Sequence, residues 1–383
     1  MQDKMNHEQL WERYRNGDIG RREFLRGLGA TALAVGVVGS PLGLYSGRAR
    51  AAVDEVRFDT WGGTVYDAFL KNGLRPFEQE SGITVNAGTF GNADQYLANV
   101  KASQAGAYQI AHLSGVFDYA RYTGLELNSE INEANIPRLD TVIDSLMAPL
   151  RKITNGKLSA VPYDYGATGI AYNRKYISDD EVKEKGASIL IDDEYKGKIS
   201  GWAEWKTRVW YAALQTDQDP NNIEDMDAIW DAVRKNRDLV LKYWNSGAEL
   251  MELLADEEIY VTEGYSGRIR ALQDEGYDIG YMDPPGGLGW QEDLFVLKGS
   301  PMEACEELIN FLLKPEVAVA VAEAQKYPPS LNPQKVDLGE NVPTLPAFDP
   351  DGTLENYDFF DAEYWNSNEQ EWSRQFSRVQ RGY

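Results

Sequence analysis

The stretch WAEWKTRVW, residues 202–210, sets three tryptophans, two cations and one carboxylate in nine positions. That is too aromatic for a solvated face and too charged for an ordinary core. Its chemistry is that of recognition: indole faces attract cations, and a guanidinium seeks a planar anion. Covalent chemistry has little to work with. His7 and His112 are the only imidazoles and Cys305 the only thiol, so no zinc-type cluster is in view. His112 has no evident partner for nucleophilic catalysis. Cys305, inside the helical pattern MEACEELINFLL, reads as a small core residue, and a lone cysteine cannot close an internal disulfide. GYSG at 264–267 lacks the spacing of a nucleophile elbow, and no P-loop occurs. Neither a metal nor a cofactor is expected.

The elements that must position these residues belong to a soluble, acidic chain. Its 383 residues suggest two domains, and 43% hydrophobic with 26% charged residues is an ordinary globular balance. A formal net charge of -23 argues against nucleic-acid binding through phosphates. Near the start, GRREFLR at 20–26 introduces an apolar run at 28–38 that is too short to span a bilayer. It fits a signal peptide, with an A-x-A-like site at Ala49 and Ala51. The paired arginines with Phe24-Leu25 resemble a twin-arginine export signal. Residues 1–51 are therefore expected to be a leader, and the twin-arginine machinery a partner in export.

After the leader the pattern alternates. Short strands are expected at 55–61, 82–88 and 108–114, with helical spacing between them, which implies a parallel sheet flanked by helices. A second α/β region opens with VPYDYGATGIAYN at 161–173. Helical patterns follow at 223–255 and from 302, the latter interrupted by Pro315. The aromatic tail, 357–383, reads as a closing helix.

DTWGGTVYDAFLKNGLRPFEQESGITV, VPYDYGATGIAYNR, GWQEDLFVLKGSP and ELINFLLKPEVAVAVAEAQKYPPSLN, in that order, resemble periplasmic solute-binding proteins of ABC importers. The likeness is to the spermidine/putrescine-binding family over about residues 55–335. It implies an α/β, two-lobed periplasmic binding protein fold of type II, each lobe a mixed or parallel sheet flanked by helices. The solute would lie in the interlobe cleft. The implied lobes are 53–165 with 292–335, and 170–288 with 340–383, with crossovers near 166–171 and 288–292. The implied partners are a small-molecule solute and an inner-membrane ABC permease, and the implied location is the periplasm.

On this resemblance the solute-contacting positions fall on Trp61, Ser114, Trp290, Glu292 and Tyr327. Trp290 and Glu292, two apart, share one side of a strand. Tyr163 and Tyr165, astride Asp164, are further candidates near the crossover. A polyamine needs aromatic walls and carboxylate ends. The sequence departs from the polyamine pattern at Trp205 and Arg208, where relatives carry acids, and at Glu263, where they carry tryptophan. A slip of register would bring Glu204 into play. Arg208 then pairs either within the protein, at Glu263 or Glu204, or with an acidic group of the solute. The expected solute bears an amine: a polyamine, or a zwitterion such as an ω-amino acid. A sugar binder of the same fold is the alternative. A secreted glycoside hydrolase is the less favoured one, because no carboxylate pair is marked out.

Overall fold

The structure, a computed structural model, describes residues 54–382. The expected leader and its paired arginines lie outside the described residues. Among the described residues no helix is long and apolar enough to cross a membrane.

Nine strands form one curled sheet. They are β1 (Glu55–Trp61), β2 (Thr84–Phe90), β3 (Ile110–Ser114), β4 (Ala160–Asn173), β5 (Ile199–Trp202), β6 (Val240–Trp244), β7 (Val261–Tyr265), β8 (Ile279–Met282) and β9 (Leu288–Val296). The spatial order is β2-β1-β3-β9-β4-β7-β5-β6, with β8 also on β4. Two parallel trios, β2-β1-β3 and β6-β5-β7, flank an antiparallel centre of β9 and β4. β4 pairs with β9 along its first half and with β7 and β8 along its second. All fourteen of its residues are buried, as expected of a strand covered on both faces. The expected α/β class and two-lobed plan are those of the molecule.

Two large, separate sets of buried side chains fill most of the two halves, with smaller ones around Trp244 and Leu250 and around Ile143 and Leu146. One draws on Val56, Phe58, Phe69, Tyr163, Phe295 and Leu308. The other draws on Ile170, Trp210, Trp230, Val261 and Trp365. Val342 and Leu345 pack in the first set. The tail enters the second with Phe360 and with helix Ala362–Gln380, which buries Trp365, Trp372, Phe376 and Val379. Phe117, on helix Gly115–Gly124, projects from the first half into the second core. Pro315 separates Met302–Leu312 from Pro315–Gln325 by starting the second helix, where its missing N–H costs nothing.

Candidate functional site: an aromatic cleft with two buried charge clusters

The first cluster is built by register. β3, β9 and β4 are neighbours, with Ser114 opposite Glu292 and Glu292 opposite Asp164. His112 precedes Ser114 by two, so alternation sets both on one face of β3. His112 Nε2 lies 3.2 Å from Asp164 Oδ2 and 3.2 Å from Glu292 Oε2. Its Nδ1 is 2.9 Å from Thr60 Oγ1. Gln325 Nε2 donates to Asp164 Oδ2 at 2.6 Å, and Ser114 Oγ donates to Glu292 Oε1 at 3.3 Å. One ring nitrogen of His112 and one oxygen each of Asp164 and Glu292 lie within 4.8 Å of one another.

Burial pulls the His112 imidazole toward neutrality, but Asp164 and Glu292 outweigh it and raise its affinity for the proton. Burial pushes the Glu292 carboxyl up to about 7, with the imidazole opposing the rise and Asp164 adding to it. Burial likewise holds the neighbouring Asp293 at about 8. Asp293 accepts from Gln291 Nε2 at 2.7 Å and leaves its other oxygen without a partner.

Aromatic rings surround the Glu292 end. Trp290 stands edge-on to Tyr327 at 4.9 Å between centroids and to Tyr265 at 6.4 Å. It lies so close to β4 that a Cβ at Gly166 would collide with its indole. A Cβ at Gly267 would do the same to Tyr327, so the two glycines let both rings approach backbone. Trp61, at the end of β1, packs on Phe90 at 4.6 Å and borders Glu292. The Trp61 side chain hydrogen-bonds the Glu292 carboxyl, and the Trp290 indole N–H is buried without a partner among the described residues.

The second cluster lies in the other half. Arg208 and Glu263 are 3% and 0% exposed and form an ion pair through Arg208 Nη2 and Glu263 Oε1. Arg208 Nη1 also donates to Asn236 Oδ1 at 3.2 Å, and the Trp202 backbone N–H donates to Glu263 Oε1. Burial raises the Glu263 carboxyl while the guanidinium opposes it. Of the two pairings left open for Arg208, the structure has the internal one. Gly201 lies against both side chains, leaving no room for a Cβ without displacing them.

The stretch WAEWKTRVW is thereby divided among three tasks. Trp202 stacks on Trp244 at 5.6 Å and stands edge-on to Tyr265 at 5.2 Å, on the aromatic side. Glu204 caps helix Trp205–Gln215, accepting from the Thr207 N–H at 3.0 Å, and is partly exposed beside Lys206. Trp205 packs on Trp365 at 5.8 Å and Phe117 at 6.4 Å, and Trp210 sits in the core against Trp365. Trp205 thus bridges Phe117 and helix Ala362–Gln380.

The candidate residues are therefore not all in one place. Trp61, Ser114, Trp290, Glu292 and Tyr327 come together. Tyr163 lies beneath them, its ring 4.9 Å from Phe69 and 6.1 Å from His112. Tyr165 faces the tail, its hydroxyl accepting from the Asp349 N–H at 3.1 Å. Sequence reading left His112 without a partner and gave Asp164, Trp202 and Tyr265 no role. The available signal was alternation, which links His112 to Ser114, but the pairing of β3 with β9 across 178 positions is a tertiary fact. A separate surface crevice of about 580 Å³, lined by Leu97, Arg121, Leu125, Ile153 and Glu363 among others, contains none of these residues.

Two α/β halves joined by shared central strands, with an aromatic cleft holding one reachable acid, define a two-lobed solute-binding protein of type II. The neighbours in fold agree. A spermidine/putrescine ABC transporter substrate-binding protein from Streptococcus pneumoniae superposes with a TM-score of 0.70 at 19% identity, covering 85% of this chain and 99% of its own. The agropinic-acid complex of a binding protein from A. tumefaciens gives 0.69 at 18%, covering 85% and 98%. The family model for bacterial extracellular solute-binding proteins matches residues 74–350, and the chain belongs to that family. It is a binding protein, not an enzyme. Among curated relatives, a putrescine-binding periplasmic protein of Pseudomonas aeruginosa is 24% identical over 323 residues, 79% of this chain and 85% of the relative. A gamma-aminobutyric acid-binding protein of the same species is 30% identical over 174 residues, which is 44% of this chain and only 45% of that relative. The Escherichia coli spermidine/putrescine-binding periplasmic protein is 28% identical over 298 residues, 74% of this chain and 81% of the relative.

Proposed function

We propose that the protein captures an amine-bearing solute in the cleft and delivers it to an inner-membrane ABC permease. The observation that carries this reading is Glu292: an acid with a partly exposed side chain, beside the Ser114 hydroxyl and ringed by Trp61, Trp290 and Tyr327. An ammonium group there meets a carboxylate and indole faces together. Relatives named for putrescine, spermidine and gamma-aminobutyric acid share one chemical feature, a primary amine on a short methylene chain.

A di- or polyamine is the preferred solute, because Arg208 is neutralised by Glu263 and presents no cation to a solute carboxylate. Glu204, partly exposed and acting with Glu292 on the Tyr265 hydroxyl, is the acid assigned to a second amine. An ω-amino acid is the second reading, supported by the relative named for gamma-aminobutyric acid. The lobes are taken as 53–165 with 292–335 and 170–288 with the tail, rocking where β4 and β9 cross between halves. Export through the twin-arginine route and removal of residues 1–51 complete the reading, and N-terminal sequencing of the exported protein checks them.

Titration calorimetry with putrescine, spermidine, γ-aminobutyrate and a hexose tests the function, with tryptophan fluorescence reporting closure. Saturable binding of an amine without turnover is expected. Binding of the hexose alone would overturn the reading.

A further inference from the structure

The charges of the His112 cluster do not balance. One imidazole faces two carboxyl groups, Asp164 and Glu292, each 3.2 Å from Nε2. Among the described residues, no lysine or arginine is an ion-pair partner of either acid. A second bare carboxylate in so dry a place carries a heavy desolvation cost. The surroundings of the two acids differ. The Asp164 side chain is 2% exposed and accepts the 2.6 Å bond from Gln325. The Glu292 side chain has the longer 3.3 Å bond from Ser114 and, at 14%, is the one of the three with an opening outward.

We propose that Glu292 carries a proton until solute arrives and releases it when an ammonium group takes its place, so that capture is a proton-for-ammonium exchange set by His112 and Asp164. This deepens, and rests on, the reading of the cleft as an amine site. Before capture the cluster holds an imidazolium, the Asp164 carboxylate and the Glu292 carboxyl. Afterwards it holds an imidazolium, two carboxylates and one ammonium. Both states are neutral: one O–H bond breaks, and its proton passes to water. A solute without positive charge cannot stabilise the ionised Glu292, so the cluster selects for cations.

The other groups packed around His112 do not supply the missing charge. Thr60 on β1 and Gln325 do not titrate, and burial keeps the Tyr163 hydroxyl neutral. Asp293 on β9, held at about 8, stays largely protonated at neutral pH. The direction for His112 and the value of about 7 for Glu292 agree with the exchange.

The test is calorimetry of putrescine, spermidine or γ-aminobutyrate binding in buffers of differing ionisation enthalpy, between about pH 6 and 8, where the solute amines stay charged. The apparent enthalpy is expected to track the buffer, with about half a proton released at neutral pH and more below it. Affinity is expected to rise by up to roughly tenfold per pH unit on the acid side and then level off. In His112→Asn the two acids lose their shared cation, so the midpoint of the affinity profile moves to higher pH and alkaline buffer restores binding. A structural defect would not be rescued by base. Amine binding with no buffer dependence over this range overturns the exchange while leaving the amine site intact. So does an unshifted midpoint in a folded His112→Asn protein. Should that variant not fold, the buffer series on the unaltered protein decides alone. Failure of all three amines to bind overturns the functional reading itself.

Discussion

Two buried charge clusters, one in each half, use similar groups to opposite ends. In the second half, Arg208 and Glu263 bring one positive and one negative charge, and Asn236 and the Trp202 N–H take up further hydrogen-bonding capacity. That cluster balances its own charge, although Arg208 Nε and Glu263 Oε2 are buried without hydrogen-bond partners. In the first half, His112 stands between Asp164 and Glu292, and one acid is left over with a path outward. On the proposed reading, the balanced pair belongs to the framework and the unbalanced cluster receives the ammonium group of the solute. The contrast assigns the guanidinium that looked like a solute contact to the protein's own framework, and the polarity of the cleft to its acid.

The largest expected effect breaks the balanced cluster. Arg208→Met leaves Glu263 buried and uncompensated, which should cost about 3–5 kcal/mol of stability in a denaturant titration. Adding Glu263→Gln should recover most of that, because the unpaired charge is then gone. A double variant no more stable than the single one contradicts the self-contained pair. Next comes the unbalanced cluster. Glu292→Gln keeps the shape but removes the charge, and should weaken amine binding by about 2–5 kcal/mol, read by calorimetry. Its stability should change little, since the acid it removes is the surplus one. If Glu292→Gln unfolds the protein while Arg208→Met does not, the two roles have been assigned the wrong way round.

A smaller effect belongs to the walls. Trp290→Leu retains bulk but loses the indole face, and should cost roughly 1–2 kcal/mol of amine affinity. Gly166→Ala reaches the same ring from behind, since a methyl group there displaces the indole. Equal losses in both variants would mean that ring position, as much as ring identity, sets affinity. Trp205→Leu is the control from the other half. Its ring packs on Trp365 and Phe117, so it should lower stability rather than shift affinity at constant closure.

How much of this was legible beforehand follows from what each feature depends on. The strands at the start, the alternation that puts Trp290 and Glu292 on one face, and the break at Pro315 are local, and local patterns revealed them. The α/β class follows from those. Sheet order does not: that β9 runs between β3 and β4, bringing Ser114, Glu292 and Asp164 abreast, depends on contacts across more than a hundred positions. Hence His112 read as isolated although it has two acidic partners. Arg208 was ambiguous for the same reason, because its partner Glu263 arrives on a separate strand, β7. Composition made WAEWKTRVW conspicuous, but its tryptophans fall on two elements: Trp202 ends β5 beside Trp244, while Trp205 and Trp210 lie on helix Trp205–Gln215 and both reach Trp365.

The most direct test of charge balance concerns Asp293. Its carboxyl is held at about 8 by burial, far above the value of an exposed aspartate near 3.9. Between those values the native protein holds a proton that the unfolded chain has lost. Stability must therefore fall as pH rises through this window, and the slope vanishes above it. Asp293→Asn keeps an acceptor for the Gln291 amide and removes the ionisation. The variant should show a flatter stability profile from about pH 5 to 8, gaining on the parent most at the alkaline end. Guanidinium titrations at the two ends measure it. Because Asp293 and Glu292 are adjacent, the same variant also separates the two protons. If amine binding still releases its proton with Asp293 gone, the exchange belongs to Glu292; if the release disappears, the surplus charge of the first half resides one residue further along β9.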